Sequence, residues 1–227
     1  MIRSFYTATA GAKSSQNKLD IHANNIANVN TTGYKAGAAS FTETLYSNFD
    51  NGIAVGSGVR LQEISLNFAP GHLEYTGNKL DFAIEGEGFF AVNDNNGNIS
   101  YTRSGNFALT EENGESYLVT VDGQWVLDEN MERIQVTGDS VSLPGIFTFP
   151  NPYGLQVVGS GRYLSTPMSG ESTVLEGDLL KNEHLESSSV DLITELSNMI
   201  QAQRAYQFNA KMIQTADELE QMANNLR

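Results

Sequence analysis

Glu85 and Glu87 are the two residues whose spacing most resembles a catalytic pair. They stand two positions apart in the run IEGEGFF, so on an extended strand both carboxylates would lie on one face, roughly 7 Å apart. Two carboxylates at about that separation can hydrolyse a glycosidic bond with inversion. Gly86 and Gly88 instead favour a turn or bulge, which would not hold the two groups rigidly in different environments. A wall-active hydrolase that uses Glu85 or Glu87 is therefore an alternative and not the main interpretation.

The other reactive residue types form no recognisable site in the sequence. The run NDNNGN, residues 93–98, resembles a calcium loop, but alignment on Gly97 places Val92 at the first ligand position and Arg103 at the twelfth, where acidic residues are needed. We therefore expect a hairpin turn there. The three histidines are isolated along the chain and no cysteine occurs, so neither a zinc motif nor a thiolate nucleophile is visible. The sequence predicts no catalytic residue, no cofactor and no metal.

The overall charge and hydropathy limit the possible partners. Over 227 residues the formal net charge is -14 and the isoelectric point about 4.5, which argues against nucleic acid, whose phosphates attract basic surfaces. No run of about 18 apolar residues occurs, so we expect no membrane insertion. Thr7, Thr9 and Lys13 interrupt the apolar stretch near the start, so no cleavable signal peptide is predicted. Such a chain would need another route to leave the cytoplasm.

Glycine and proline divide the chain into three zones. All five prolines lie between Pro70 and Pro167, and 19 of the 21 glycines lie between Gly37 and Gly177. Because these residues form turns and break helices, the ends are predicted to be helical and the middle to be turn-rich β structure. The predicted fold is α+β. Long N- and C-terminal helices pair as a coiled coil, and the intervening all-β domain is either a distorted barrel or paired sheets.

Both ends carry apolar residues at helical spacing. The N-terminal stripe alternates steps of four and three, which is a heptad seam. The C-terminal stripe shifts by one position partway along, which makes a face broad enough for more than one partner helix. Ser188 followed by Asp191 resembles a weak capping box and places the start of the second helix there. The first stripe comprises Met1, Phe5, Ala8, Ala12, Ser15, Leu19, His22, Ile26 and Val29. The second comprises Leu192, Leu196, Met199, Gln203, Tyr206, Ala210 and Ile213, then Met212, Ala216, Leu219, Ala223 and Leu226.

The segment ANNIANVNTTGYK, residues 23–35, ends the first helix with a cluster of amides. Asn24, Asn25 and Asn28 lie on neighbouring turns, and ANN returns at residues 223–225. Buried amides between helices specify register and partner, whereas exposed ones would only be solvated, and the sequence leaves both interpretations open. Gly33 can adopt a left-handed conformation and Tyr34 can then pack back, so these two residues are the predicted exit turn of the chain.

Taken together, these segments resemble the flagellar rod and hook family of axial proteins. ANNIANVNTTGYK matches that family's N-terminal hallmark, and residues 189–222, SVDLITELSNMIQAQRAYQFNAKMIQTADELEQM, are similar to its C-terminal segment. LDFAIEGEGFFAV, residues 80–92, followed by YTRSGNF, residues 101–107, is similar to the start of the β domain in rod proteins. The ends look most like distal rod members. Proximal rod members and other hook and basal-body members remain the alternative.

The resemblance implies a structural subunit without catalysis, and not an enzyme. Family members leave the cell uncleaved through the flagellar type III export apparatus. They assemble as a helical homo-oligomer with other rod and hook proteins in the basal body, and they transmit torque from motor to hook. A more remote alternative is a secreted carbohydrate-binding protein whose helices act as an oligomerisation stalk.

The resemblance also implies a division of this chain into three parts. Residues 1–30 with 188–227 are expected to form a terminal coiled-coil assembly domain, and residues 31–78 with 168–187 a connecting region. Residues 79–167 are expected to form an outer β domain. The residues expected at the assembly interface are Leu19, Asn24, Asn25, Ile26, Asn28, Gln203, Arg204, Tyr206 and Ile213.

Overall fold

Two long helices and nineteen short strands make up the part of the chain that the computed structural model describes. It describes residues 2–44, 47–48, 54–56, 58–94, 97–112, 114–137, 140–175, 177 and 179–225. The helices are α1 (Ile2–Ala27) and α2 (Leu192–Asn225). The strands are β1 (Gly37–Glu43), β2 (Ser47–Asn48), β3 (Ala54–Val55), β4 (Val59–Leu66), β5 (Leu73–Tyr75), β6 (Phe82–Ile84), β7 (Phe89–Asn93), β8 (Ile99–Thr102), β9 (Phe107–Glu112), β10 (Glu115–Thr120), β11 (Trp125–Val126), β12 (Gln135–Thr137), β13 (Ser140–Val141), β14 (Ile146–Thr148), β15 (Gln156–Gly159), β16 (Arg162–Leu164), β17 (Thr173–Val174), β18 (Leu180–Asn182) and β19 (His184–Glu186). A single 3-10 turn, Pro152–Gly154, precedes β15.

The chain forms two compact units, and the prediction of an α+β fold is confirmed at that level. One unit, the terminal unit, contains Met1–Ala27, Gly37–Leu66 and Asp191–Arg227. The other, the β unit, contains Asn28–Ala36 and Asn67–Val190. Met1, Leu226 and Arg227, which belong to the predicted helices, lie outside the described residues. Within the described part, neither helix has a stretch both long and apolar enough to span a bilayer.

In the terminal unit, α1 and α2 pack against each other and run antiparallel. A side chain on Gly11 would come within 2.8 Å of Asn209, and Asn25 lies beside Glu195 at the other end of the pair. Ala8 and Ala202 are buried, and these small residues allow the two helix backbones to approach closely. The strands β1 and β4 form an antiparallel pair with Gly37 opposite Leu66 and a bulge after Ser40. They contact α1, where the Lys18 ammonium lies 4.7 Å from the centre of the Phe41 ring.

Asp191, and not Ser188, caps the start of α2. The Asp191 carboxylate accepts hydrogen bonds from the backbone N–H groups of Ile193 at 3.0 Å and Thr194 at 3.4 Å, and from the Thr194 hydroxyl at 2.8 Å. The Thr194 hydroxyl and these backbone groups hold the pKa of Asp191 below its usual value. The chain before Asp191 has other partners, because the Ser189 N–H donates to the carbonyl of Tyr34. The sequence pattern therefore placed the cap three residues too early.

The β unit is built on an open eleven-stranded sheet. Its main path runs β13-β12-β10-β11-β7-β8-β16-β15, with β9 beside β10, and β14 between β7 and β17. No pairing between described strands joins the two ends of this path, so the closed barrel, one of the two predicted forms, is not observed. The predicted hairpin at NDNNGN is confirmed as the connection from β7 to β8. Asn95 and Asn96 of that turn lie outside the described residues.

The β unit contains a hydrophobic core centred on strand β7 and its neighbours. Strand β7 is buried from Phe89 to Val92, with neighbours on both edges, and its continuous apolar run reflects burial of both faces. Two short pairings, β5 with β19 and β6 with β18, attach the returning chain to this body. The core residues are Phe82, Ile84, Phe90, Val92, Phe107, Leu118, Val126, Ile134, Val136 and Ile146.

Tyr163 lies in an aromatic group on β16. Its ring centre is 5.5 Å from that of Phe89 and 5.7 Å from that of Phe68, and the residue is almost fully buried. Burial raises the pKa of Tyr163 to about 12 from the model-compound value of 10.0, although the neighbouring Arg103 opposes the shift. In the unfolded chain this phenol loses its proton first, so the folded state loses relative stability as the pH rises from 10 to 12.

We expect Tyr163→Phe to remove the loss of stability that Tyr163 causes between pH 10 and pH 12. Tyr163 contributes its full stabilisation below pH 10, and about 2 kcal/mol of the free energy of unfolding should be lost by pH 12. The free energies of unfolding of wild type and variant are measured by rapid denaturant titration at pH 9 and pH 12. Between these two pH values the wild type should lose more of its free energy of unfolding than the variant does. Tyr153→Phe, at an exposed tyrosine, is the control. Equal pH dependence of Tyr163→Phe and wild type would contradict the assignment.

Candidate assembly interface

Helix α2 exposes many large apolar side chains. Ile193 is 77% exposed and Phe208 is 72% exposed. Of the described residues of α2, only Ala202 is buried. Large exposed apolar patches on a protein mark sites of contact with another protein. The large exposed apolar residues of this helix, which lie around more than half of its circumference and are together called the α2 face below, are Leu192, Ile193, Leu196, Ile200, Tyr206, Phe208, Met212, Leu219 and Met222.

The last turns of α2 extend beyond the reach of α1. Gly11 lies opposite Asn209, and Asn25 lies opposite Glu195. Because the two helices are antiparallel and have the same rise per residue, the residue numbers of any two facing positions add up to about 220. By that register, the beginning of α1 at Ile2 lies opposite residues near 218. Leu219 and Met222 therefore lie beyond the position that faces the first described residue of α1, and both are exposed.

The expected assembly residues occupy three different environments. Asn24, Gln203, Arg204 and Tyr206 are exposed, whereas Leu19, Ile26, Asn28 and Ile213 are half-buried. Asn25 is buried. The exposed group is accessible to solvent, while the hydrogen bonds of Asn25 to Gly37 and Glu195 lie within its own unit.

Asn25 joins α1, β1 and α2 within the terminal unit. Its amide oxygen accepts from the N–H of Gly37, and its amide nitrogen donates to the carbonyl of Gly37, both at 2.9 Å. The same nitrogen donates to Glu195 at 3.1 Å, and the other oxygen of Glu195 lies 2.5 Å from the ring of His22. The Asn25 side chain thus pairs with the backbone of Gly37 as a neighbouring strand would. It fixes where β1 leaves the helix pair.

Lys35, Glu186 and Arg103 form a buried charge cluster in the β unit. Lys35 and Glu186 have side chains only 1% exposed, and the Lys35 ammonium donates to Glu186 at 2.7 Å and to the carbonyl of Ala69 at 2.9 Å. Arg103 lies 3.4 Å from the other oxygen of Glu186. Two buried cations therefore share one buried carboxylate. Such an arrangement persists only when its geometry and hydrogen bonds compensate the loss of water.

The charge cluster connects segments that are far apart in the sequence. The carboxylate of Glu186 also accepts from the N–H of Gly71 at 2.7 Å, and Arg103 donates to the carbonyl of Gly86 at 2.6 Å. Burial lowers the pKa of Lys35 and of Arg103, while the charge of Glu186 opposes both shifts. The cluster ties the exit turn, the loops before β5 and after β6, the segment after β8 and the end of β19 to one point.

The exit turn lies directly against this cluster. Gly33 has a φ of +67°, a conformation that costs little only for glycine. A side chain at this position would also come within 2.6 Å of the backbone of Arg103. The N–H of Gly33 donates to the carbonyl of Glu186 at 2.8 Å, and the Tyr34 carbonyl accepts from Ser189 at 3.0 Å. The outgoing and returning chains are thus hydrogen-bonded to each other at this turn.

Glu85 and Glu87 lie on an exposed bend between β6 and β7 and not on an extended strand. Gly86 and Gly88, with φ of +114° and +134°, produce this bend. Glu85 pairs with Lys181 at 3.1 Å in solvent, and neither carboxylate lies in an enclosed site. Among the described residues, no group of three histidine, aspartate or glutamate side chains is placed to hold a metal ion.

Lys35, Arg103, Glu186 and Glu195 are the important residues that sequence reasoning did not single out. Lys35 and Arg103 lie within quoted motifs, NTTGYK and YTRSGNF, and Glu195 lies within the C-terminal segment. The signal that could have indicated their importance is a charged residue inside an otherwise apolar or turn-forming motif. Their pairing was not visible, because Lys35 and Glu186 are 151 positions apart.

We expect Glu186→Gln to destabilise the chain strongly, since it leaves two buried cations without their counter-charge. Breaking a buried pair in this way costs about 3–5 kcal/mol. Lys35→Met should cost less, because Glu186 keeps Arg103 as a partner. Denaturant unfolding of the purified chain measures both. Glu85→Gln, which breaks the exposed pair with Lys181, is the matched control and should cost under about 1 kcal/mol. A Glu186→Gln variant as stable as the control would refute the role of the cluster.

We expect Asn25→Leu to cost about 2 kcal/mol or more, because the N–H and carbonyl of Gly37 would lose their partners. Gln207→Leu makes the same kind of change at an exposed position of α2, and its effect should stay within about 0.5 kcal/mol. The amide proton of Gly37 should exchange faster in Asn25→Leu, as measured by hydrogen exchange. Unchanged protection of Gly37 would contradict the observed pairing.

Comparison with known proteins finds sequence similarity along the whole chain. Residues 5–35 match the family model "Flagella basal body rod protein", residues 83–146 match "Flagellar hook protein FlgE/F/G D1 domain", and residues 181–226 match "Flagellar basal body rod FlgEFG protein C-terminal". The chain is 35% identical to the flagellar basal-body rod protein FlgG of Bacillus subtilis, over 100% of both chains. It is 35% identical to FlgG of Agrobacterium fabrum over 96% of this chain and 97% of that one. A hook protein, FlgE of Helicobacter mustelae, is 36% identical over 59% of this chain and 33% of its own. The chain therefore belongs to the flagellar basal-body rod and hook protein family, with full-length similarity to its FlgG members.

Proposed function

We propose that this chain, a structural subunit of the bacterial flagellar rod, assembles with further copies of itself into a helical tube that transmits torque from motor to hook. The observation that carries the proposal is the α2 face, whose large apolar side chains meet water in the single chain. Burying such surface against other subunits supplies the main driving force for association. A repeated head-to-tail contact generates an open helical filament.

The helix pair is the proposed inner layer of the tube. In this proposal α1 and α2 pair as a coiled coil, residues 1–30 with 188–227 form the assembly domain, and residues 31–78 with 168–187 connect it to an outer domain of residues 79–167. Asn24, Gln203, Arg204 and Tyr206 are exposed and are proposed to contact neighbouring subunits. Leu19, Ile26, Asn28 and Ile213 are proposed to line the same interface from their half-buried positions. Asn25 is proposed to support the interface indirectly, through its hydrogen bonds to the backbone of Gly37 and to the side chain of Glu195.

The proposed partners are other copies of the chain and the neighbouring rod and hook proteins of the basal body. Export without cleavage through the flagellar type III apparatus, and a position that crosses the cell envelope, follow from the family and remain part of the proposal. The full-length similarity to proteins named FlgG favours the distal rod over the proximal rod. No catalytic step is proposed, since Glu85 and Glu87 lie on a solvent-exposed bend.

We expect Phe208→Asp to prevent incorporation into the rod while the chain still folds. Phe208 is exposed, so its replacement should change the free energy of unfolding by no more than about 0.5 kcal/mol. A charge placed in a buried interface would instead abolish association. The measurement is the amount of the variant in basal bodies purified from cells whose only copy carries the change, together with swimming motility.

Val121→Asp is the control for this experiment. Val121 is 74% exposed in the turn after β10, so the same charge is added to the β unit and not to the helices. This variant should be incorporated at the wild-type level. Motile cells with a normal amount of the Phe208→Asp variant in their basal bodies would refute the proposed role of the α2 face.

A further inference from the structure

An exposed apolar patch lies on the β unit around the hairpin of β15 and β16. Tyr153 is 65% exposed, Val157 53%, Val158 51% and Met168 77%. These four residues are called the hairpin patch below. None of them is part of the terminal helices, so the α2 face does not account for their exposure.

The hairpin patch is held by a preformed scaffold. Val157 pairs with Tyr163 across the hairpin, and directly opposed residues of antiparallel strands share a face. The rings of Tyr163 and Tyr153 each lie 5.7 Å from the ring of Phe68. Val157 and Tyr153 therefore extend one apolar surface that begins in the buried aromatic group.

Hydrogen bonds hold Met168 beside this surface. The Thr166 hydroxyl donates to the carbonyl of Gly154 at 2.6 Å, and the Asn151 side chain donates to the carbonyl of Met168 at 3.2 Å. A side chain on Gly154 would come within 2.6 Å of the backbone of Met168. The segment of Met168 is thus packed closely on the 3-10 turn that carries Tyr153.

The strand β15 also has an available edge. It pairs with β16 at one end of the main sheet path, and no other described strand pairs with it. The pairing is irregular between Val157 and Gly159. Exposed strand edges of this kind are natural sites for contact with another chain.

The charge distribution indicates what can approach this patch. Residues 140–170 contain a single charged residue, Arg162, whereas twelve acidic residues lie between Asp81 and Asp139. The whole chain has a formal net charge of -14, so two copies repel each other over most of their surfaces. The segment 140–170, which has no acidic residue of its own, is where an identical chain can approach at a lower electrostatic cost. Tyrosine and methionine are enriched, and charged residues depleted, at the centres of protein interfaces.

We infer that the hairpin patch is a docking site for a second copy of this chain. The inference rests on the proposed self-assembly and adds a contact through the β unit to the one through the helices. The contact is head-to-tail, because a patch that bound only its own counterpart would close a dimer and stop a filament. Tyr153 and Met168 supply the apolar anchors of this contact, and Val157 and Val158 flank them.

Photo-cross-linking in cells tests the inference directly. A benzoylphenylalanine is placed at Tyr153, at Phe208 or at Val121 of the full chain, and the cross-linked peptides from purified basal bodies are identified by mass spectrometry. We expect same-chain products from Tyr153 and from Phe208. The yield from Tyr153 should exceed that from Val121 by about tenfold, as expected for a buried contact compared with an exposed one.

The possible outcomes separate the two proposals. Same-chain products from Phe208, with none from Tyr153 or with only a different protein attached there, would overturn the hairpin docking site and leave the rod function intact. Equal yields from Tyr153 and Val121 would overturn it as well. Same-chain products from neither Tyr153 nor Phe208 would overturn both proposals.

A pair of matched variants provides an independent measurement. Val158→Asp and Val121→Asp each add one carboxylate at a valine that is more than half exposed, so both chains should fold, as near-ultraviolet circular dichroism can verify. When each is expressed together with the wild-type chain, the share of Val158→Asp in basal bodies should fall about tenfold. The share of Val121→Asp should not change. Equal shares would overturn the inference.

Discussion

The carboxylate of Glu186 is the group on which the organisation of the β unit depends. It accepts from Lys35 and from the backbone of Gly71, and it faces Arg103. These partners come from the exit turn, from the loop before β5 and from the segment between β8 and β9. These partners compensate the loss of water around the buried carboxylate, and the same contacts place each segment accurately. Hydrophobic burial alone would hold the segments together but would not specify their mutual positions.

Asn25 has a comparable role in the terminal unit, although it carries no charge. Its amide forms a closed pair of hydrogen bonds with Gly37 and a third with Glu195. Since successive residues of a helix point about 100° apart, a rotation of α1 by one residue would remove Asn25 from both partners. The amide therefore fixes the rotation of α1 about its own axis. The small buried residues Ala8 and Ala202 constrain this rotation less.

The helices could be predicted from the sequence because their signals are local and repeated. The spacing of apolar residues in α1 and α2, and the concentration of glycine and proline between them, depend on neighbours a few positions away. The role of Asn25 could be predicted only in part. The sequence identified a cluster of amides, but its partners lie 12 and 170 positions away. The burial of Lys35 could not be predicted, since a lysine that follows a turn is ordinarily solvated. The cap was placed too early because Ser189, next to the predicted cap, donates its N–H to the carbonyl of Tyr34 in the exit turn and does not enter the helix.

The long sequence separation of these contacts also determines when the chain can fold. Glu186 is 151 positions from Lys35, and Glu195 is 170 positions from Asn25. Neither cluster can form until almost the whole chain is free to meet its own beginning, and contacts of this range form late because closing the loop costs entropy first. During synthesis or passage through a narrow channel, the leading α1 segment therefore lacks the partners that would fix it. The exit turn and the helix pair therefore take their final form only after Glu186 and Glu195 have joined the chain.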